Sequence, residues 1–136
     1  MAEILQNNIN WEALTCLIVD DDKFSRTFVK TALYQIGIKN TKEANNAHEA
    51  VELLSEFKID VVLLDQQMPE KNGLEFAKEL KSGAYGIKSV PIIMITVDTK
   101  EQTVLTAKNL GIQEYLVKPI SPQALKKRIY TAITHK

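Results

Sequence analysis

Four short apolar runs in this chain each end on a residue suited to magnesium and phosphate chemistry. Leu17-Ile18-Val19 runs into Asp20-Asp21, and Val61-Val62-Leu63-Leu64 runs into Asp65. Ile92-Ile93-Met94-Ile95 ends on Thr96, and Tyr115-Leu116-Val117 ends on Lys118-Pro119. Crowded carboxylates repel one another unless a cation lies between them. Magnesium suits such a place: it prefers hard oxygen ligands and is commonly held by one or two carboxylates plus phosphate. A hydroxyl and an ammonium beside it would stabilise charge on phosphoryl oxygens. The four run ends make a phosphoryl site if the fold brings them together.

The elements between them say that it does. Short β-branched runs alternate with stretches of helical periodicity, which predicts an α/β fold with a parallel sheet. In such a sheet the carboxyl ends of all strands share one edge. Strands are expected at Thr15 to Val19, Lys39 to Ala44, Asp60 to Leu64, from Pro91 to Thr96, and Gln113 to Val117. Helices are expected at Lys23 to Ile36, from an Asn46/Glu49 capping box to Phe57, and from Leu74 to about Lys81. A Thr99/Gln102 capping box opens another that ends near Gly111, and Ser121-Pro122 opens the last. Phe24, Phe28, Ala32 and Ile36 form the apolar stripe of the first helix. Asp22 caps it. Residues 1–13 read as an N-terminal extension docked by Trp11 and Leu14, and residues 14–136 as one domain.

Composition narrows the class. The 136 residues are 45% hydrophobic and 25% charged, ordinary for a globular protein. Basic and acidic residues number 17 each, so no net field draws the chain to nucleic acid or anionic lipid. No apolar run approaches a membrane span, and residues 1–13 lack the apolar core of a signal peptide. Cys16 has no partner for an internal disulfide and sits in an apolar run, as a buried thiol in a reducing compartment would. A cytoplasmic location is the expectation.

From Thr15 to its C-terminus the chain resembles the receiver domain of two-component response regulators. The resemblance rests on Asp20-Asp21, on Asp65 followed by Met68-Pro69 and Gly73, on Thr96, and on Lys118-Pro119, in that order. It implies a flavodoxin-like (βα)5 three-layer sandwich whose parallel five-stranded sheet has the order 2-1-3-4-5. It implies Asp65 as phosphoacceptor, taking a phosphoryl group from a sensor histidine kinase or histidine phosphotransfer protein. Mg2+ (or Mn2+) would be held by Asp21, Asp65 and the backbone carbonyl of Gln67, with Asp20 acting through water. Thr96 and Lys118 would bind the phosphoryl oxygens, and Thr96 and Tyr115 would form the switch. A cis Lys118–Pro119 bond is also implied. Such a protein is a signalling switch that assists its own phosphorylation and dephosphorylation, not an enzyme. Its output would reach an unnamed protein target through the last two strands and helices, as a monomer or a phosphorylation-dependent dimer, with no nucleic acid or membrane partner.

Some residues depart from that pattern. Val97 follows Thr96 where the family usually has alanine or glycine, and Lys71 replaces an apolar residue in the loop before Gly73. Gln67 and Asp98 flank the site. His48 and His135 have no partner pattern, and Lys126-Lys127-Arg128 reads as a solvated face. The rival from another class is a phosphatase of the haloacid dehalogenase type using Asp20, because Asp20-x-Asp22 mimics its nucleophile motif. Against it, no Asp or Glu follows Lys118. A flavodoxin is disfavoured because the acidic loop would repel the flavin phosphate. Either the chain is a stand-alone regulator, which Met1 favours, or it is the receiver portion of a longer one.

Overall fold

The computed structural model describes residues 9–68, 71–87, 89–97, 106, 108–109, 111–112 and 114–134. Five strands form one parallel sheet: β1 (Thr15–Val19), β2 (Asn40–Ala44), β3 (Val61–Asp65), β4 (Ile92–Thr96) and β5 (Glu114–Val117), in the order β2-β1-β3-β4-β5. The described helices are α1 (Lys23–Gln35), α2 (Ala47–Glu56), α3 (Gly73–Ser82) and α4 (Pro122–Thr134). Most of the helix expected between Thr99 and Gly111 lies outside the described residues, as do Pro69, Asp98, Gln113 and His135.

Strand periodicity splits the core into two layers. Cys16, Ile18, Val61, Leu63, Ile93 and Ile95 pack with Val29, Leu33, Leu125 and Ile129, so α1 and α4 cover one face. Leu17, Val19, Val62, Leu64 and Met94 pack with Ala50, Phe76, Ala77 and Leu80, so α2 and α3 cover the other. Burial on both faces explains why β1, β3 and β4 read as continuous apolar runs. The edge strand β2 is largely polar and borders solvent, as an edge should.

The caps follow the sequence, with one addition. Asp22 Oδ1 accepts from the Phe24 amide at 2.9 Å, and Ser121 Oγ accepts from the Ala124 amide at 3.1 Å. Asn46 Oδ1 accepts from the Glu49 amide, while the Glu49 carboxylate turns back to the Asn45 amide rather than to that of Asn46. Asn72, not marked in the sequence, caps α3 by accepting from the Glu75 amide.

The apolar stripe expected on α1 is corrected by the structure. Phe24 and Phe28 are 87% and 55% exposed, while Ala32 and Ile36 of that stripe do face the core, together with Val29 and Leu33. The buried side thus follows the expected stripe at its C-terminal end and turns to Val29 and Leu33 before it, where α1 packs against β1 and α4. Trp11 opens a short 3₁₀ turn (Trp11–Ala13) and is buried in the α1–α4 layer, with Leu14 packed against it.

Candidate functional site

Register brings the strand ends level. Val19 lies beside Leu64, Asp65 beside Ile95, and Thr96 beside Val117. Beyond those pairs the ladder continues for one residue: the Gln66 amide donates to Ile95 O at 3.0 Å, and the Lys118 amide to Thr96 O at 2.8 Å. The next side chains after Val19, Leu64 and Val117 therefore emerge together at the carboxyl edge. The convergence expected of Asp20, Asp21, Asp65 and Lys118 is what the strand register produces, and Thr96 closes β4 at the same edge.

Carboxylate oxygens of Asp20, Asp21 and Asp65 all lie within 4.8 Å of one another. Asp20 and Asp65 are buried and Asp21 is exposed. Lys118 reaches over them, its Nζ 3.4 Å from Asp65 Oδ1 and 3.5 Å from Asp20 Oδ2. Burial, and then the Asp20 carboxylate, push the Asp65 carboxyl up to about 6 despite the lowering effect of Lys118. One ammonium does not compensate this much crowded negative charge. Three hard oxygen donors in one cluster fit magnesium, and a cavity of about 330 Å³ opens above them, lined also by Asp22, Gln67 and Val97.

Thr96 is fully buried at the end of β4, and the Lys118–Pro119 bond that follows β5 is cis. Tyr115 is half-buried on the α2–α3 side of the sheet. Its hydroxyl donates to Gln66 Oε1 at 3.1 Å, one residue beyond Asp65. Asp22 caps α1, and its own amide donates to Asp20 Oδ1 at 2.9 Å.

Three residues at the site carry no motif in the sequence, and a fourth, Lys71, stands in the loop beside it as the departure already noted. Ser25 Oγ accepts from Lys118 Nζ at 3.0 Å. Arg26 Nη1 donates to the Asp20 carbonyl at 2.7 Å and its Nε to Glu43 at 3.2 Å, tying the acidic loop to β2. Gln66 holds Tyr115. Lys71, at the far end of the loop after β3, meets Glu79 at 2.5 and 2.8 Å and the Tyr85 hydroxyl at 3.3 Å. Those bonds, first to Glu79, hold the Lys71 ammonium above its usual range and the Glu79 carboxyl below its own. The one available signal was spacing: Ser25 lies four residues after Asp21, one helical turn back toward the acidic loop.

A parallel 2-1-3-4-5 sheet with a carboxylate cluster and a lysine at its carboxyl edge defines a phosphoryl-signalling domain of the flavodoxin-like fold. The chain belongs to the response regulator receiver domain family, whose family model matches residues 16–130. Among relatives, it is 38% identical over 114 residues to the chemotaxis protein CheY1 of Helicobacter pylori, covering 83% of this chain and 91% of that one. It is 32% identical to chemotaxis protein CheY-3 of Vibrio cholerae over 129 residues, 95% of each chain. Among solved structures, CheY4 of Vibrio cholerae superposes with a TM-score of 0.77 at 29% identity, covering 88% of this chain and 98% of that one. CheY in a CheX-CheY-BeF3-Mg complex from Borrelia burgdorferi gives 0.81 at 26% identity, covering 96% and 98%.

The chain is thus a receiver domain of two-component signalling, and the phosphatase reading based on Asp20 is not supported. Asp22, the second aspartate of the motif that reading rested on, is the helix cap. No helix among the described residues is long and apolar enough to cross a membrane.

Proposed function

We propose that this receiver takes a phosphoryl group on Asp65 and reports it through Thr96, Tyr115 and the surface beyond β4. The observation that carries the reading is the Lys118 ammonium lying within 3.5 Å of both Asp20 and Asp65, over a carboxylate cluster that one lysine cannot neutralise. Asp21 and Asp65 would be direct ligands of Mg2+ (or Mn2+), with the Gln67 backbone carbonyl, and Asp20 would act through water. When bound, the metal neutralises the cluster and shares the charge of the transferring group.

Asp65 Oδ attacks phosphorus of a phosphohistidine or a small acyl phosphate. The bond from phosphorus to the leaving imidazole nitrogen or carboxylate oxygen breaks, and its electron pair leaves with that group. Lys118 holds charge on the equatorial oxygens of the loose transition state. Thr96 then donates its hydroxyl to a phosphoryl oxygen, which draws the end of β4 inward and frees space for Tyr115. Moving a switch from 1:99 to 99:1 takes about 5.5 kcal/mol of differential binding. One close charge pair near a protein surface supplies roughly 4 kcal/mol, so Lys118 with a metal suffices if their contacts differ between states. The same groups set the rate at which water removes the phosphate.

The phosphoryl donor would be a sensor histidine kinase or a phosphotransfer protein, and the target a protein that reads the phosphorylated face. The relatives' names place them in chemotaxis, and the Borrelia structure holds CheY with a protein partner, so we extend a cytoplasmic motility-signalling role to this chain. Residues 14–136 would form the receiver and residues 1–13 its extension. Sedimentation with and without beryllofluoride separates a monomer from a phosphorylation-dependent dimer. The decisive experiment incubates the protein with acetyl phosphate and magnesium and reads intact mass. One added phosphate is expected, absent with EDTA and absent in Asp65→Asn; its persistence in that variant refutes the nucleophile.

A further inference from the structure

The Lys118 ammonium carries three protons and, among the described residues, meets three oxygens. Ser25 Oγ lies at 3.0 Å, Asp65 Oδ1 at 3.4 Å and Asp20 Oδ2 at 3.5 Å. The nearest is the neutral one. Ser25 sits in the first turn of α1, half-buried, and lines a groove of about 340 Å³ with Phe28, Val29, Val97, Pro119 and Ile120. Among the described residues the rest of that wall is apolar, so Ser25 is what meets the ammonium on the groove side. The Lys118 side chain is only 26% exposed, which limits the water available to replace it.

We infer that Ser25 is a positioning residue for phosphoryl transfer: its hydroxyl fixes Lys118 Nζ where it meets the phosphoryl group on Asp65. The inference rests on the function proposed above. A lysine stem has many rotamers, and a point charge on it is aimed only by what it touches. The two carboxylates aim it poorly through the reaction, because the negative charge of Asp65 passes to phosphoryl oxygens as the new bond forms. Ser25 does not change its charge, so its hold persists through the step without weakening the ammonium's field. Without it, Lys118 faces an apolar wall and is drawn toward Asp20, away from the reacting oxygens.

The test compares wild type, Ser25→Ala and Ser25→Thr with acetyl phosphate at saturating magnesium. Ser25→Ala is expected to phosphorylate roughly tenfold more slowly at saturating donor, the size of one hydrogen bond to a charged group. Ser25→Thr, which keeps the hydroxyl, should return to within about twofold. A second readout is the ¹H–¹⁵N signal of the Lys118 ammonium, held in slow exchange in wild type and Ser25→Thr and lost in Ser25→Ala. Equal rates in Ser25→Ala and wild type overturn the inference, as does failure of Ser25→Thr to restore the rate. An inert wild type whose ammonium signal still depends on Ser25 would overturn the phosphoryl reading and leave the contact itself established.

Discussion

Val97 is 60% exposed and lines both the acidic cavity and the groove beside it, so anything approaching Asp65 from that side passes its two methyl groups. Val97→Ala widens the approach for a small donor and for water alike. Phosphorylation by acetyl phosphate and subsequent loss of the phosphate should each be several-fold faster in the variant, measured by intact mass over time. Identical time courses would remove steric gating from the account. Cys16 is the opposite case, a residue far from the chemistry whose ionisation bears on stability. Burial, then the Asp60 carboxylate, push its thiol up to about 12. Below the unfolded value both states keep the proton; above it only the folded state does, so stability falls as pH rises from about 9 toward 12. Any stability advantage of wild type over Cys16→Ala should shrink by roughly 1.5 kcal/mol between pH 8 and pH 10 in urea unfolding. A constant difference would mean that the folded thiol ionises normally. The sequence alone marked this thiol as buried, because a lone cysteine in an apolar run has few other fates. It could not mark Ser25 or Gln66, whose roles depend on which way a side chain turns across the fold.

At the scale of elements, strands were legible and helix faces were not. β1, β3 and β4 are each a short apolar run that ends at a polar residue, and covering both faces leaves no choice of side to misread. In α1 the expected stripe is right at Ala32 and Ile36 and wrong at the exposed Phe24 and Phe28, because Val29 and Leu33 offer the helix an equally good spacing. The error matters for function, because the true orientation brings Ser25 toward Lys118 and leaves Phe28 to wall the groove. The loop after β3 shows what sequence marks without explaining. Gly73 belongs to the family motif, and the structure gives the reason: a Cβ there would press against the backbone of Asp65 and Gln66. The Gly73 amide also donates to Gln66 O at 2.7 Å, so the close approach is fixed by a hydrogen bond. Because the obstacle is backbone, it cannot rotate aside. Gly73→Ala should lose on the order of 1–3 kcal/mol by overpacking. It should also slow phosphorylation, since the displaced backbone is that of Asp65 itself. Unchanged stability and rate together would show that the loop has slack the structure does not display.

Over the whole molecule, the sheet separates chemistry from anchoring. The acidic cluster occupies the carboxyl edge, while Trp11 precedes β1 and packs at the opposite edge. There it fills the α1–α4 layer at 9% exposure, with its Cβ 3.3 Å from where a side chain on Gly37 would begin. Lys126 Nζ lies 5.5 Å from the centre of its ring, so part of the basic run on α4 is tied to the turn before β1. Arg128 of the same run meets the buried Glu114 at 3.4 Å, so the expected solvated face is in part a pairing face. Removing the indole deletes a large apolar contact shared by the turn before β1, α1 and α4. Truncating a buried aromatic costs about 3–5 kcal/mol, and Trp11 at the margin of the core belongs at the lower end. For a chain of this length that lowers the melting midpoint by roughly 10 °C. Magnesium-dependent phosphorylation of Trp11→Ala, assayed well below its midpoint, should stay within about twofold of wild type, because no strand-end residue loses a neighbour. A matching loss of rate at low temperature would show that the two edges are coupled through the sheet, and that Trp11 belongs to the switch as well as to the core.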